Sequence, residues 1–577
     1  MLRRWLALTY SLYALRLTAL YHFYFNPLYP PQTVFRRPPP ATGLPENPCG
    51  RKTKLQMPPQ SFQAAQKNLP ATRKQKAPMN KPLLPALCLL LSLSAHAAPS
   101  DAAADERRRL LDESGRQTQQ YRESGWLGTE QVRGEVEQND GYIMIDGAIY
   151  QVGDTAEELE SAIYHALNAR QWHKTRQFAA RYAKLPQHKP ALIRLADALQ
   201  KRDEGDFRAA GKSFQAALEA EPDNPRLLLE AGRFYAEDNQ NKESAAAFQK
   251  VLAAEIPAET RPIVEGYLAE LGKRRRWHGQ ISLGYGYNNN VNQSNGTTQC
   301  MWEVAGMCLM ERTLPAPESS TFLSYSAAAE KTIPLKGHHG IQIRGILYGS
   351  RYTEKSKEEN APMPDYGYHT GSLYAGYAYA DARSSFSLLP YFEYDFRNRH
   401  THYRAWGADA DWSHVLSPRW RINARAGAKK TGYGGQSRDY FADYKQYELG
   451  AGAEFSITPK SGLFANFDAA RKAYPEKSSS SKEYTARLGA YRLFPGGTYL
   501  NAVLLYRRSL YDAASFISDN RRRHDKQYML IAAAGFPQWN VKGVYPELRF
   551  RRTVARSNSV YYRYRQNEWL LNFKYRF

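Results

Sequence analysis

Glu568-Trp569-Leu570-Leu571-Asn572-Phe573-Lys574-Tyr575-Arg576-Phe577 alternates along an extended backbone. Trp569, Leu571, Phe573, Tyr575 and Phe577 fall on one side, and Glu568, Asn572, Lys574 and Arg576 on the other. An apolar face closing on a final aromatic is the pattern of the last strand of a transmembrane β-barrel, the one sheet that satisfies its whole backbone inside lipid. The same period of two begins at Trp277, with Ile281, Leu283, Tyr285 and Tyr287 alternating with small or polar residues, and recurs at Tyr447, Leu449, Ala451, Ala453, Phe455 and Ile457. Fourteen such segments can be traced, at 278–292, 320–333, 340–354, 367–380, 385–397, 403–415, 418–432, 444–457, 462–473, 483–494, 498–510, 526–537, 543–555 and 561–577. An even number of strands of this length closes an antiparallel barrel without free edges.

Composition agrees once it is divided. A mean hydropathy of −0.64 over 577 residues excludes long apolar helices, and alternating strands never raise it. The 41 Tyr outnumber the 23 Phe and 10 Trp together, as expected of rings gathered at strand ends near a membrane surface. The net charge of +23 splits into about +12 over 1–97, −4 over 98–276 and +15 over 277–577. The strand charges Arg344, Glu393, Asp395, Asp409, Asp411, Arg421, Arg425, Arg487, Arg549 and Arg551 lie opposite the apolar set. They face the lumen, because a charge at mid-membrane costs roughly 2–4 kcal/mol on the lipid side. A polar, net basic lumen follows, either a hydrophilic passage or one plugged by charges that pair across it. Long connections such as 293–319, 355–366 and 433–443 alternate with short ones such as 381–384 and 458–461, which puts the repeat region described next and the short turns at one end. Cys300 and Cys308 share the first long loop, and in an oxidising compartment they form a disulfide.

Upstream of the strands the period is helical and repeats. Gly205-Asp206-Phe207, Ala210, Phe214, Ala217-Leu218 and Pro222 match the second helix and exit turn of a tetratricopeptide (TPR) repeat. Thirty-four residues on, Phe248, Val251 and Leu252 take the places of Phe214, Ala217 and Leu218. Ala231-Gly232 and Tyr235 sit in the helix between, and a looser copy holds Trp172 and Phe178. On the concave face of such an array Leu192, Leu195, Leu199, Arg226, Leu229 and Arg233 are the expected client-binding positions; the alternative is a leucine core with a solvated arginine face. Asp146-Gly147 between Tyr142-Ile-Met-Ile145 and Ala148-Ile-Tyr-Gln-Val152 reads as a small hairpin. Met79-Asn80-Lys81, the apolar run Leu83–Leu93 and Ala95-His96-Ala97 read as a secretory signal peptide, and 1–78 as spurious or disordered upstream sequence. The organisation expected is therefore 1–78, a signal peptide at 79–97, a linker with a hairpin at 98–156, a periplasmic TPR-like domain at 157–276 and a 14-stranded barrel at 277–577. The fold class is α + β, multidomain, with helical repeats preceding a transmembrane antiparallel barrel.

No nucleophile, base and orienter stand at a recognisable spacing, and no metal or cofactor set is present in the sequence. His338-His339 falls in a turn and His400/His402 near a loop, where solvation is the expectation. Lys273-Arg-Arg-Arg276, between the repeats and the barrel, suits anionic headgroups and orientation better than nucleic acid.

The order of parts, and the stretch from Pro190 through Trp277-His-Gly-Gln-Ile-Ser-Leu-Gly-Tyr-Gly-Tyr-Asn-Asn-Asn-Val-Asn292, resembles the surface lipoprotein assembly modulator (Slam) family of Gram-negative bacteria over about 140–577. The resemblance implies a translocator in the outer-membrane bilayer that takes client lipoproteins from periplasm to cell surface, with the repeats as adaptor and the barrel as route. It implies no cofactor and no catalytic residue, and as partners the clients, the barrel-assembly machinery and periplasmic chaperones. The alternative from the residues alone is an exopolysaccharide export porin with a TPR adaptor, for which a basic lumen would suit an acidic polymer.

Overall fold

Alternation of period two gives strands and the 34-residue period gives helix pairs in the computed structural model, which describes residues 105–113, 141–145, 148–354, 366–397, 400–515, 518 and 520–577. The expected upstream segment and signal peptide lie outside the described residues. A helix at 105–113 (α1) comes first. The hairpin β1 (Tyr142–Ile145) and β2 (Ala148–Gln151) follows, paired from Tyr142↔Gln151 to Ile145↔Ala148.

Seven helices build the repeats: α2 (Ala156–Asn168), α3 (Trp172–Tyr182), α4 (Pro190–Asp203), α5 (Phe207–Ala220), α6 (Pro225–Glu237), α7 (Asn241–Ala253) and α8 (Thr260–Arg274). Their starts are written locally. Thr155, Asp206 and Asn224 cap α2, α5 and α6 by accepting from backbone N–H groups of the first turn, and Pro190 and Pro225 occupy the position where no donor is needed. Phe214 and Phe248, the residues 34 apart, are fully buried. Gly232 lies flat against Phe248, and a Cβ there would sit 2.8 Å from the ring. Small residues in the sequence pattern thus set how closely α6 and α7 approach.

Beyond α8 come β3 (His278–Asn288), an excursion β4 (Thr298–Val304) and β5 (Met307–Thr313), and then β6 (Ser320–Pro334), β7 (His339–Tyr352), β8 (Tyr368–Ala380), β9 (Ser384–Arg397) and β10 (His400–Ser417). The remaining strands are β11 (Trp420–Tyr433), β12 (Tyr444–Thr458), β13 (Ser461–Ala473), β14 (Ser481–Leu493), β15 (Tyr499–Ser515), β16 (Arg521–Gly535), β17 (Val544–Ser557) and β18 (Tyr564–Arg576). β3 and β6 to β18 form one closed antiparallel barrel of fourteen strands, each paired with its neighbours in sequence and β18 with β3. The burial is inverted relative to a soluble sheet: Gln280 and Ser282 are buried while Leu283 is 62% exposed, and Leu449 is 67% exposed. Leucines outside and polar groups inside describe a lipid-facing wall. At about 3.3 Å per residue and a tilt near 40°, strands of this length stand about 30–35 Å tall, enough for the apolar band of a membrane.

The seam between β18 and β3 runs from Glu568↔Asn288 to Arg576↔Gln280. Gly279 and Phe577 exchange both backbone hydrogen bonds, at 2.9 and 3.1 Å. Gly279 is required there, since a Cβ would meet the Ala328 carbonyl at 2.1 Å. At the other end the asparagine run serves as fasteners. Asn289 accepts from the Asn567 N–H at 2.7 Å, Asn290 donates to the Arg565 carbonyl at 2.9 Å, and Asn295 donates to the Val560 and Arg563 carbonyls.

Candidate functional site

Asp105-Glu-Arg-Arg-Arg-Leu-Leu-Asp-Glu113 carries acids at both ends and three arginines in the middle. In a helix this order makes internal pairs one turn apart: Arg109 binds Glu106 at 2.6 Å and Glu113 at 2.7 Å, and Arg108 lies 3.7 Å from Asp112. The helix, α1, stands inside the barrel. Arg107 donates to Asp409 on β10 at 2.7 Å and to the Tyr374 hydroxyl on β8 at 2.8 Å, approaches Glu393 on β9 at 3.5 Å, and lies over the Tyr391 ring. Arg108 reaches Glu448 on β12 and Asp468 on β13 at 3.5 and 3.1 Å. Three of the acids turn the other way: Asp105 binds Arg507 on β15, Glu106 lies 3.3 Å from Arg549 on β17, and Glu113 accepts from Lys574 on β18 at 2.9 Å, whereas Asp112, 3.4 Å from Arg425 on β11, stays on the side of the arginines. Leu110 is fully buried in a cluster with Ala328, Ile346, Tyr348, Tyr374, Leu389 and Tyr391. That one side chain contributes about 1.5–3 kcal/mol, while the desolvation of paired charges offsets most of their attraction.

The wall carries both signs. Glu393, Asp409, Glu448 and Asp468 face the arginines of α1, and Arg425, Arg507, Arg549 and Lys574 face its acids. Further pairs tie the wall to itself. Glu330, with no exposed surface, accepts from Arg344 at 2.7 Å; Lys429 binds Glu393 at 3.2 Å and Arg551 binds Glu568 at 2.5 Å. α1 and these pairs take up part of the charged lumen.

The repeats meet the barrel at the end where β3 begins. Asp238, just past α6, accepts from Nε2 of His338 at 2.8 Å and from the Ala382 N–H at 3.1 Å. Asn239 donates to the Asp381 carbonyl at 2.8 Å, and Glu243 accepts from the Gly337 N–H at 2.8 Å. Arg383 lies across Gly205, in the turn between α4 and α5, where a Cβ would stand 2.2 Å from its guanidinium and where φ is +80°. His338 is thus a joint residue and not the solvated one expected of its turn. Asp238 holds its imidazolium above the ordinary value of 6.5, reinforced by Asp381 and Glu243. A cavity of about 1080 Å³ opens at this joint, lined by Asn239, Asn241 and Arg274 of the repeats, and runs into the lumen beside Arg108 and Asp112.

Comparison with known proteins fits this arrangement. The family described as "Surface lipoprotein assembly modifier" matches residues 277–577, and its "N-terminal TPR repeats" match 149–248. The chain belongs to the surface lipoprotein assembly modifier family. Among relatives of this family member, "Hemophilin secretion modulator" of Acinetobacter baumannii is 27% identical over 82% of this chain and 95% of its own. "Surface lipoprotein assembly modifier" of Moraxella catarrhalis is 24% identical over 68% of this chain and 75% of its own. "Surface lipoprotein assembly modifier 1" of Neisseria meningitidis serogroup B is 22% identical over 78% and 88%. A lipid-faced barrel in a surface lipoprotein assembly modifier belongs in the outer membrane, and the family is named for assembly and not for an enzymatic activity.

In this surface lipoprotein assembly modifier the residues expected on the concave face divide. Leu192, Leu195 and Leu229 are buried between helices, and Leu199 packs against the clusters that hold Leu192 and Leu195. The spacing of Leu192, Leu195 and Leu199 by three and four residues turns all three toward neighbouring helices. Arg226 and Arg233 are half-buried. Arg226 donates to Asn168 at 2.6 Å and lies over Tyr164, and Arg233 pairs with Glu230 at 3.1 Å and lies over Tyr267. Cys300 and Cys308 form their disulfide, joining β4 to β5 in the excursion after β3. Trp569, Leu571, Phe573, Tyr575 and Phe577 line the outer face of β18, each 38–50% exposed. The strand charges named from sequence do face inward. The α1 helix and its partners Glu448, Asp468, Arg507 and Lys574 are additions, and the acids and arginines of 105–113 are their one sequence signal.

Proposed function

We propose that this chain is an outer-membrane translocator that delivers lipoproteins from the periplasm to the cell surface. The repeats stand in the periplasm and engage the client, and the barrel gives it a route. The observation that carries this is the joint: His338–Asp238, Asn239–Asp381 and Glu243–Gly337 hold the repeats at the barrel mouth, over a cavity lined by both. A wall that intersperses Glu393, Asp409, Glu448 and Asp468 with cations favours polypeptide over an acidic polysaccharide, since a chain of mixed sign finds partners for both its charges there and a polyanion for one only. The names of the relatives, which speak of surface lipoproteins and of hemophilin secretion, support the same cargo.

No bond chemistry is required. With no nucleotide in the periplasm, transfer is driven by folding of the client outside and by trapping of the product. Insertion of the barrel itself calls on the barrel-assembly machinery and periplasmic chaperones. Protease shaving of intact cells, with and without the gene, tests the reading. Surface lipoproteins disappear from the shaved fraction on deletion, and deletion of 149–272 alone leaves a folded barrel with clients trapped inside. Loss of a surface polymer with lipoprotein display intact overturns it.

A further inference from the structure

We infer that α1 is a removable stopper, and that the wall it covers is the binding site a passing client takes over. The inference rests on the translocator reading and extends it to the resting state. α1 is nine residues long, about 13 Å of helix, and its side chains bond to the wall at β8 to β13, β15, β17 and β18. A surface helix would need no such ring of partners.

The way it is held suits release. Strands are joined by backbone ladders, whereas α1 bonds to the wall through side chains, nearly all of them charge pairs, and through Leu110. Charge pairs in a wet lumen exchange one partner for another at little net change, because each wall acid accepts any cation and each wall cation any carboxylate. A client segment carrying both signs offers the same bonds. Entry starts at the cavity that opens toward the repeats and runs beside Arg108 and Asp112, so an incoming chain passes along the flank of α1.

Two measurements on the full chain decide it. Arg107→Glu with Arg108→Glu sets acids against Asp409, Glu393, Glu448 and Asp468 while leaving the ladders intact. In planar bilayers its single-channel conductance rises at least threefold over the parent, with the folded barrel's heat-modifiable mobility unchanged. A folded variant that conducts like the parent overturns the stopper. In cells, Arg107→Cys with Asp409→Cys is bridged by a bifunctional thiol reagent. Shaved surface lipoprotein falls at least tenfold against the untreated variant, and Arg107→Cys alone is unaffected by the reagent. Full display from the bridged protein overturns displacement. If removal of the whole gene leaves lipoprotein display unchanged, the cargo reading fails, and the conductance measurement still decides the stopper.

Discussion

Nε2 of His338, in the turn before β7, lies 2.8 Å from Oδ2 of Asp238 at the end of α6. An acid at a helix C-terminus opposes the helix dipole, so Asp238 is stabilised there by donors that the barrel turns supply. The relationship makes the joint a titratable element. The folded pKa of His338 is raised, so its stabilisation is fully present below about 6.5 and is lost as pH rises through the raised value. Between pH 6 and pH 9 the protection factors at 335–338 and at the end of α6, each taken against the free-peptide exchange rate at the same pH, should fall. His338→Gln should remove that fall. Equal protection factors at both pH values would rule the joint out as a titrating contact.

Glu330 and Arg344 form a buried pair across β6 and β7. Glu330→Ala leaves a guanidinium in the lumen wall without its main carboxylate, a loss of about 3–5 kcal/mol. The check is the urea midpoint of the folded barrel, followed by its gel mobility without boiling. Glu330→Ala together with Arg344→Met should recover most of the loss.

Gly232→Ala in α6 places a methyl 2.8 Å from the Phe248 ring. Overpacking of this kind costs about 1–3 kcal/mol, against a gain near 1 kcal/mol in helix propensity. The helical signal at 222 nm should melt earlier, with the barrel transition unmoved.

Leu449 lies on the lipid face of β12. Leu449→Arg should lower the folded fraction in vesicles by the equivalent of about 2–4 kcal/mol, whereas Leu493→Arg at the end of β14 should cost about 1 or less. Equal losses at both positions would mean that neither faces lipid.

The fourteen strands were legible because lipid outside and charge inside impose the same period on every one, and the 34-residue spacing carried the helix pairs for a similar reason. The occupant of the lumen was not. Arg107 and Asp409 stand 302 residues apart, and nothing in an Asp-Glu-Arg-Arg-Arg run tells a solvated linker from a helix with partners on every side. The leucines of the repeats illustrate a different limit. Helical spacing places Leu192, Leu195 and Leu199 on one stripe of α4, but only packing decides whether that stripe meets a neighbouring helix or a client.

The closing pair of the barrel joins Gly279 to Phe577 across 298 residues. Until β18 is in place, β3 and β17 are both bare edges, and every intermediate is an open sheet with a sticky rim. Pairing at such sequence distance is slow to find, and the unpaired edges recruit other chains in the meantime. The topology therefore leaves two adhesive rims on the unfinished chain for as long as the closing pair takes to form, whatever the barrel later carries.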